Sequence, residues 1–148
     1  MTTAIRIAIV VSRFNAAVTD SLLEGAREAV RDHSLVCEEA DVYEVPGAFE
    51  LPIVAMAAAK SGRYQAVACL GAVVRGETPH FDFVCHQAAA GVQRVSLDTG
   101  LPVAFGVLTT DTMEQALARA GGDVGNKGYE AVDAVLGTLQ ALRRTREA

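Results

Sequence analysis

The sequence predicts an α/β fold in which four parallel strands form one sheet with helices on both faces. Its apolar pattern switches between strand-like and helix-like periods in the order βαβαβαβαα, and such alternation pairs strands in parallel through right-handed crossovers. Residues 66–74 read AVACLGAVV, an unbroken apolar run typical of a strand buried on both faces. Aromatic residues make up only 5% of the chain and Trp is absent. A core of Ala, Val, Leu and Ile suits helices packed on a parallel sheet.

Each element is indicated by its own pattern. The predicted strands are apolar runs at residues 6–11, 35–45, 66–74 and 102–108. The predicted helices, whose apolar residues recur at helical spacing, lie at residues 17–33, 49–61, 79–97, 111–120 and 127–144. In the last helix, the residues on one apolar face are Val132, Val135, Leu136, Leu139 and Leu142.

Two helix starts carry capping signals. Thr78 is the predicted N-cap of the third helix, with Pro79 at the first helical position. Asp111 and Glu114 have the spacing of a capping box at the start of the fourth helix. Glycines at residues 121–125 then break the chain before the last helix.

Composition limits the function classes. The 148 residues are expected to form a single domain, residues 1–148, and the net charge of −5 argues against nucleic acid as a partner. Apolar residues make up 51% of the chain without a stretch long enough to cross a bilayer, so we expect contact with other subunits rather than with a membrane. The apolar run at residues 5–11 is too short for a signal peptide, which predicts a cytoplasmic protein.

The three cysteines, Cys37, Cys69 and Cys85, have neither metal-ligand nor disulfide spacing. Each falls inside a predicted strand or helix, and we expect them to be small buried hydrophobes in a reducing compartment.

The most informative segment is residues 75–80, RGETPH, directly after the buried strand. Gly76 allows a tight turn, and the N–H groups of Glu77 and Thr78 at a helix start would face an anion such as a phosphate. His80 beside them is a candidate proton carrier. An ordinary strand-to-helix junction with a surface His is the alternative.

Other candidate residues also follow predicted strands, where ligands bind in such folds. Phe14 could stack on a flat heterocycle or plug the core, and Glu50 could accept hydrogen bonds from a polyhydroxylated or uracil-like ligand or simply suit a helix start. Arg119 and Lys127 could bind phosphate or be surface charges. The dinucleotide fingerprint, the P-loop, a Ser-His-Asp arrangement and metal-ligand spacing are all missing from the sequence.

Six segments, in order along the chain, together resemble the 6,7-dimethyl-8-ribityllumazine synthase family of riboflavin biosynthesis. They are SRFN at 12–15, VPGAFE at 45–50, LGAVVRGETPHFD at 70–82, FGVLTT at 105–110, EQALARAG at 114–121 and GNKG at 125–128. Any one motif is weak, but six at these intervals are specific.

The resemblance implies a flavodoxin-like three-layer sandwich, assembled as pentamers with an active site at each subunit interface. It implies condensation of 5-amino-6-(D-ribitylamino)uracil with 3,4-dihydroxy-2-butanone 4-phosphate, without cofactor or metal. Whether pentamers close into a sixty-subunit shell, and whether riboflavin synthase is a partner, stays open.

The resemblance also implies roles for individual residues. His80 would be the acid/base, and Glu77 and Thr78 would bind phosphate through main-chain N–H groups. From a neighbouring subunit, Arg119 would bind the phosphate with Lys127 nearby. The residues implied to hold the ribitylaminouracil are Phe14, Ala48, Phe49, Glu50, Ala72, Val73, Val74 and, from the neighbour, Phe105.

The chain departs from the family pattern at two points, and two rival functions stay open. Ser12 stands where the family often has Gly, and only five residues precede Arg6, so the amino-terminal arm of many members is expected to be mostly missing. An archaeal-type riboflavin synthase on the same fold would need no phosphate site. A non-catalytic scaffold domain would be expected to have paired acids after the first strand, where this chain has none.

Overall fold

The computed structural model describes residues 4–147 and contains the predicted four-stranded parallel sheet. Its strand order is β2-β1-β3-β4, and each neighbouring pair runs in parallel. The strands are β1 at Ile7–Ser12, β2 at Val42–Val45, β3 at Ala66–Val74 and β4 at Val103–Thr110. β1 and β3 are therefore central, and β2 and β4 form the two edges of the sheet.

Helices cover both faces of the sheet, as predicted. Helices α1 (Ala16–Asp32) and α5 (Lys127–Thr145) pack on one face, and α2 (Leu51–Lys60) and α3 (His80–Thr99) pack on the other. This is a flavodoxin-like α/β fold, and the prediction of a three-layer sandwich is confirmed.

Alternate residues of β1 divide between two hydrophobic clusters. Ile7 and Ile9 pack with α1 and α5, whereas Ala8 and Val10 pack with α2 and α3, and all four side chains are wholly buried. Burying a side chain the size of Ile7, Ile9 or Val10 is worth about 1.5–3 kcal/mol. A one-residue slip in register would move every side chain of the strand to the other face of the sheet. Burial on both faces therefore fixes the register of the central strands.

A polar network joins the starts of the strands at the opposite edge of the sheet from their carboxyl ends. Asp41 is buried and accepts hydrogen bonds from the Arg6 guanidinium, the Tyr64 hydroxyl (2.9 Å) and the Glu38 N–H (2.9 Å). Burial alone would raise the pKa of Asp41, but these donors outweigh it and lower the pKa below the ordinary value. The resulting stabilisation is present above the unfolded-state pKa, about 3.9, and is lost as the pH falls through the folded-state pKa.

The second strand is shorter than predicted. Strand β2 spans Val42–Val45 rather than residues 35–45. Val36 forms only an isolated bridge with Arg6. The chain between them turns at Glu39–Asp41, because the Asp41 carboxylate accepts the Glu38 N–H and closes a 3₁₀ turn.

The cysteine prediction holds only in part. Cys69 is buried in β3 as expected, and burial raises the pKa of its thiol to about 12. Cys37, however, lies in an irregular segment before the 3₁₀ turn, and both Cys37 and Cys85 are half-buried. All three are free thiols.

The predicted N-cap of the third helix is wrong. Helix α3 begins at His80, Pro79 is its flanking residue, and the helix has no side-chain cap. Thr78 lies one position further back, in the loop. The predicted second helix is also displaced, since a 3₁₀ turn at Ala48–Glu50 precedes α2.

The predicted capping box at Asp111 and Glu114 is wrong by one residue. The Thr112 hydroxyl accepts the Gln115 N–H at 3.1 Å, and the Gln115 side chain accepts the Thr112 N–H at 3.2 Å. Helix α4 therefore runs over Met113–Ala118 and ends earlier than predicted.

The glycine-rich break is a small antiparallel hairpin, which the sequence analysis did not predict. Its strands are β5 (Ala120–Gly122) and β6 (Gly125–Asn126). Gly121 and Gly125 have φ values of 100° and 103°, in a region that favours glycine. The hairpin leads the chain from α4 into α5.

The expected short amino-terminal arm falls partly on residues 1–3, which lie outside the described residues. Within residues 4–147, no helix is both long enough and apolar enough to cross a membrane.

Two glycines of α5 allow a matched test of the packing. A Cβ on Gly128 would lie 1.9 Å from the Leu22 carbonyl oxygen of α1, whereas a Cβ on Gly137 would meet nothing within 4 Å. We expect Gly128→Ala to lower the free energy of unfolding by about 1–3 kcal/mol or more. Gly137→Ala should raise it by about 0.5–1 kcal/mol. Denaturant titration checks both values, and equal effects would contradict the close approach of α5 to α1.

Candidate active site

The direction of the strand connections reverses between β1 and β3, and a crevice opens at this point. The chain leaves β1 towards β2 on one side and leaves β3 towards β4 on the other, so the loops after these strands diverge. Asn15 holds one wall, because its Nδ2 donates to the Ala72 carbonyl oxygen at 2.9 Å. It also takes a left-handed conformation (φ 63°) just before α1. The sequence analysis gave Asn15 no role, although an Asn before a helix is the residue type that tolerates this conformation.

A first cavity of about 650 Å³ opens in this crevice. It is bounded by the loops after β1, β2 and β3 and by the first turn of α3. Of the described residues that line it, only Glu50 and His80 carry ionisable side chains. The lining includes nine of the predicted site residues: Phe14, Ala48, Phe49, Glu50, Ala72, Val73, Val74, Thr78 and His80.

Three aromatic side chains surround this cavity and are open to solvent. Phe14, Phe49 and Phe83 are 71%, 58% and 68% exposed. Phe14 is therefore not a core plug, and its ring is free to stack on a planar ligand. The sequence analysis missed Phe83. Its spacing of three residues from His80, on the same face of α3, could have indicated it.

The loop between β3 and α3 offers main-chain donors to the cavity. No acceptor in residues 4–147 takes the N–H groups of Gly76, Glu77 or Thr78. Gly76 and Thr78 line the cavity and Glu77 lies between them, while His80 is exposed as the first residue of α3. The donors belong to the loop rather than to the first helical turn, yet they still lie at the helix start, where an anion is favoured.

Three of the four remaining predicted site residues lie in a second cavity of about 420 Å³ beside the edge strand β4, and the fourth, Glu77, lines neither cavity. Its lining includes Phe105, Arg119 and Lys127, and it shares no lining residue with the first cavity. Glu130, one helical turn after Lys127, also lines it and was missed by the sequence analysis. One chain thus presents two separate groups of predicted site residues.

The short hairpin holds the two cations of the second cavity near each other. Arg119 is the C-cap of α4, and its Nη1 donates to the Gln115 carbonyl oxygen at 3.0 Å. The Lys127 N–H donates to the Arg119 carbonyl oxygen at 2.8 Å. This main-chain hydrogen bond places two basic residues side by side, and basic side chains can bind a phosphate group.

Among residues 4–147, no three His, Cys, Asp or Glu side chains are grouped so that they could hold a metal ion. The groups that line the two cavities include aromatic rings, main-chain donors, threonine hydroxyls, one imidazole, two carboxylates and two basic side chains.

The fold and its cavities define a flavodoxin-like α/β protein that holds its candidate ligand sites at the carboxyl edge of the sheet. The family model described as 6,7-dimethyl-8-ribityllumazine synthase matches residues 4–143. The chain belongs to this family, whose activity is a step of riboflavin biosynthesis.

Proposed function

We propose that this protein is a transferase that condenses 5-amino-6-(D-ribitylamino)uracil with 3,4-dihydroxy-2-butanone 4-phosphate. The products are 6,7-dimethyl-8-ribityllumazine, inorganic phosphate and water. The observation that carries the proposal is the complementarity of the two cavities, one aromatic with free main-chain donors and the other holding two cations. Membership of the family supports the same reaction.

The active site of the proposal combines the first cavity of one subunit with the second cavity of its neighbour. The first cavity has no permanently charged cation among its described lining residues, although a phosphate monoester carries up to about two negative charges at neutral pH. Arg119 and Lys127 of a neighbour would supply that charge, and Phe105 would close over the ring. Because Phe14 and Phe49 are exposed in the single chain, they support such a cover.

In the first cavity, Phe14 stacks on the pyrimidine and the main chain of Ala72, Val73 and Val74 lines the ring. Ala48, Phe49 and Glu50 hold the ribityl chain, whose hydroxyls suit a carboxylate acceptor. Glu77 and Thr78 donate their N–H groups to the phosphate. These roles follow from the family resemblance, and the placement of the residues around one cavity supports them.

The chemistry needs positioning more than it needs a strong catalyst. The 5-amino group attacks the ketone and water leaves to give an imine, after which the phosphate group departs. The ribityl-bearing nitrogen then closes the ring with loss of a second water. Holding the two reactants together removes much of the entropic barrier, and His80 moves protons to and from the reacting groups. The proposal includes no cofactor and no metal.

The proposed assembly is the pentamer that the family resemblance implies, in which each site has a neighbour to complete it. The hairpin at residues 120–126 is short, and in this family a longer insertion at that point accompanies pentamers that do not close into shells. A sixty-subunit shell is therefore compatible with the proposal. An association with riboflavin synthase stays a prediction from the family resemblance. We also propose a cytoplasmic location.

The direct test is an assay of the purified protein with both substrates in the presence of EDTA. We expect lumazine to form, detected by its absorbance and fluorescence, because no step requires a metal. The control incubation contains lumazine alone. Riboflavin production from lumazine alone, or loss of all activity with EDTA, would contradict the proposal.

Arg119→Ala should weaken the use of the butanone phosphate far more than that of the pyrimidine. Loss of a charged hydrogen-bonding fork costs about 2–3 kcal/mol, which is roughly a 30- to 150-fold fall in kcat/KM for the butanone phosphate. Steady-state kinetics with each substrate varied in turn measures the effect. Arg94→Ala is the matched control, since Arg94 is an exposed arginine of α3 that lines neither cavity. Equal rises in both Michaelis constants would make Arg119 structural.

His80→Ala should lower kcat by about 10²-fold and leave measurable activity, because general acid–base catalysis contributes on that order while positioning survives. His86→Ala is the control on the same helix, as His86 is exposed and lies outside both cavities. A variant that assembles normally and has no activity would show that proton transfer carries more of the catalysis than positioning.

A further inference from the structure

Arg75 connects residues that line the two cavities. It directly follows β3, and its N–H donates to the Thr110 carbonyl oxygen at the end of β4 at 2.8 Å. Its neighbours Val74 and Gly76 line the first cavity, and Thr110 lines the second. Arg75 itself lines neither cavity. Its backbone thus joins the segment that carries the loop donors to the segment that leads to α4.

The side chain of Arg75 contacts three residues at the starts of two helices. Its Nε donates to Asp111 Oδ1 at 2.8 Å, and its Nη1 lies 3.6 Å from Asp82 Oδ1. The guanidinium carbon lies 4.4 Å from the centre of the Phe81 ring, a cation–π contact. Phe81 and Asp82 belong to the first turn of α3, whereas Asp111 belongs to the turn between β4 and α4. The guanidinium therefore bridges the starts of two helices.

From Asp111, contacts continue to the second cavity. The Asp111 N–H donates to Gln115 Oε1 at 2.9 Å, next to the Thr112 N–H that shares this acceptor. The Gln115 carbonyl oxygen in turn accepts the Arg119 guanidinium. Hydrogen bonds made by Asp111 and Gln115 therefore connect Arg75 to Arg119, and the covalent structure of these two residues joins each bond to the next.

We infer that Arg75 is a positioning residue for the phosphate of the substrate. It holds the donor loop at residues 76–78 in the first cavity and, through Asp111, the orientation of Arg119 in the second. This inference rests on the proposed function, in which both groups bind phosphate. In a ring of subunits the two cavities of one chain serve two different sites, so one Arg75 supports the phosphate ligands of both.

The experiment is a double-mutant cycle of Arg75→Met, Asp111→Ala and the double variant, with steady-state kinetics for each substrate. The Asp111 side chain is exposed, and the hydrogen bonds of the capping box join Thr112 to Gln115, so Asp111→Ala leaves α4 capped. Each single variant should raise KM for the butanone phosphate about three- to tenfold, the range for an ion pair reinforced by a cation–π contact. The double variant should be no worse than the poorer single variant, because both changes remove one linked interaction. KM for the pyrimidine should change less than about twofold.

The matched control is Arg94→Met with Asp98→Ala. These two residues form an exposed ion pair within α3, with an Nε–Oδ2 distance of 3.2 Å. These changes should alter neither Michaelis constant. Arg75→Lys should restore only part of the effect of Arg75→Met, because an ammonium group cannot reproduce the fork that reaches both Asp111 and Asp82.

Amide hydrogen exchange gives a readout that does not depend on activity. Exchange of the Asp111 and Thr112 amides should accelerate in Arg75→Met and stay unchanged in Arg94→Met. Unchanged exchange in Arg75→Met would overturn the inference even if the wild-type protein proved inactive, which separates its failure from failure of the proposed function.

Two kinetic results would also overturn it. If Arg75 bound the phosphate directly, Asp111→Ala would leave KM for the butanone phosphate unchanged or lower it, while Arg75→Met raised it. If Arg75 only stabilised the fold, both Michaelis constants would change together.

Discussion

The strand order β2-β1-β3-β4 is the constraint on which the rest of the structure depends. Because β1 and β3 are buried between two helical layers, they must be central, and the chain must leave them in opposite directions. The loops after β1, β2 and β3 then surround the first cavity, while the unpaired edge of β4 leaves room for the second. The positions of the two cavities thus follow from packing the apolar sheet between two layers of helices.

The distribution of charge between the two cavities leads to the proposed assembly. The first cavity offers rings, main-chain donors, Glu50 and His80, and the permanent cations Arg119 and Lys127 lie in the second. A doubly charged phosphate held by neutral donors alone would lack a counter-charge, and the second cavity of a neighbouring chain would supply it in the proposed assembly. This is why we propose an active site made between subunits. In that proposal Arg75 and Asp111 position the phosphate-binding groups of both cavities of one chain.

The sequence predicted the sheet, the helical layers and the loops that carry the site, since these follow from apolar periodicity and from the carboxyl-edge rule. It failed where short-range hydrogen bonds compete. Asp111 and Thr112 are both acceptable caps of α4 by residue type, and Thr112 is the cap because its hydroxyl accepts the Gln115 N–H. Thr78 is an acceptable cap of α3 by residue type, but α3 begins at His80 without a side-chain cap. The small hairpin after α4 depends on two glycines at positive φ. Arg75 reaches Thr110 and Asp111 only because β3 and β4 pair side by side. The contacts of the site residues with substrate, which the family resemblance implies, stay predictions.

The central claim, that each active site combines the first cavity of one subunit with the second cavity of another, is tested most directly by complementation. One variant carries Glu50→Ala and His80→Ala, and the other carries Arg119→Ala and Lys127→Ala. Each alone should have almost no activity. When the two are co-expressed in equal amounts, random pairing of neighbours should restore about a quarter of the wild-type activity per site. Activity no greater than the sum of the separate variants, in particles that contain both chains, would contradict the shared site.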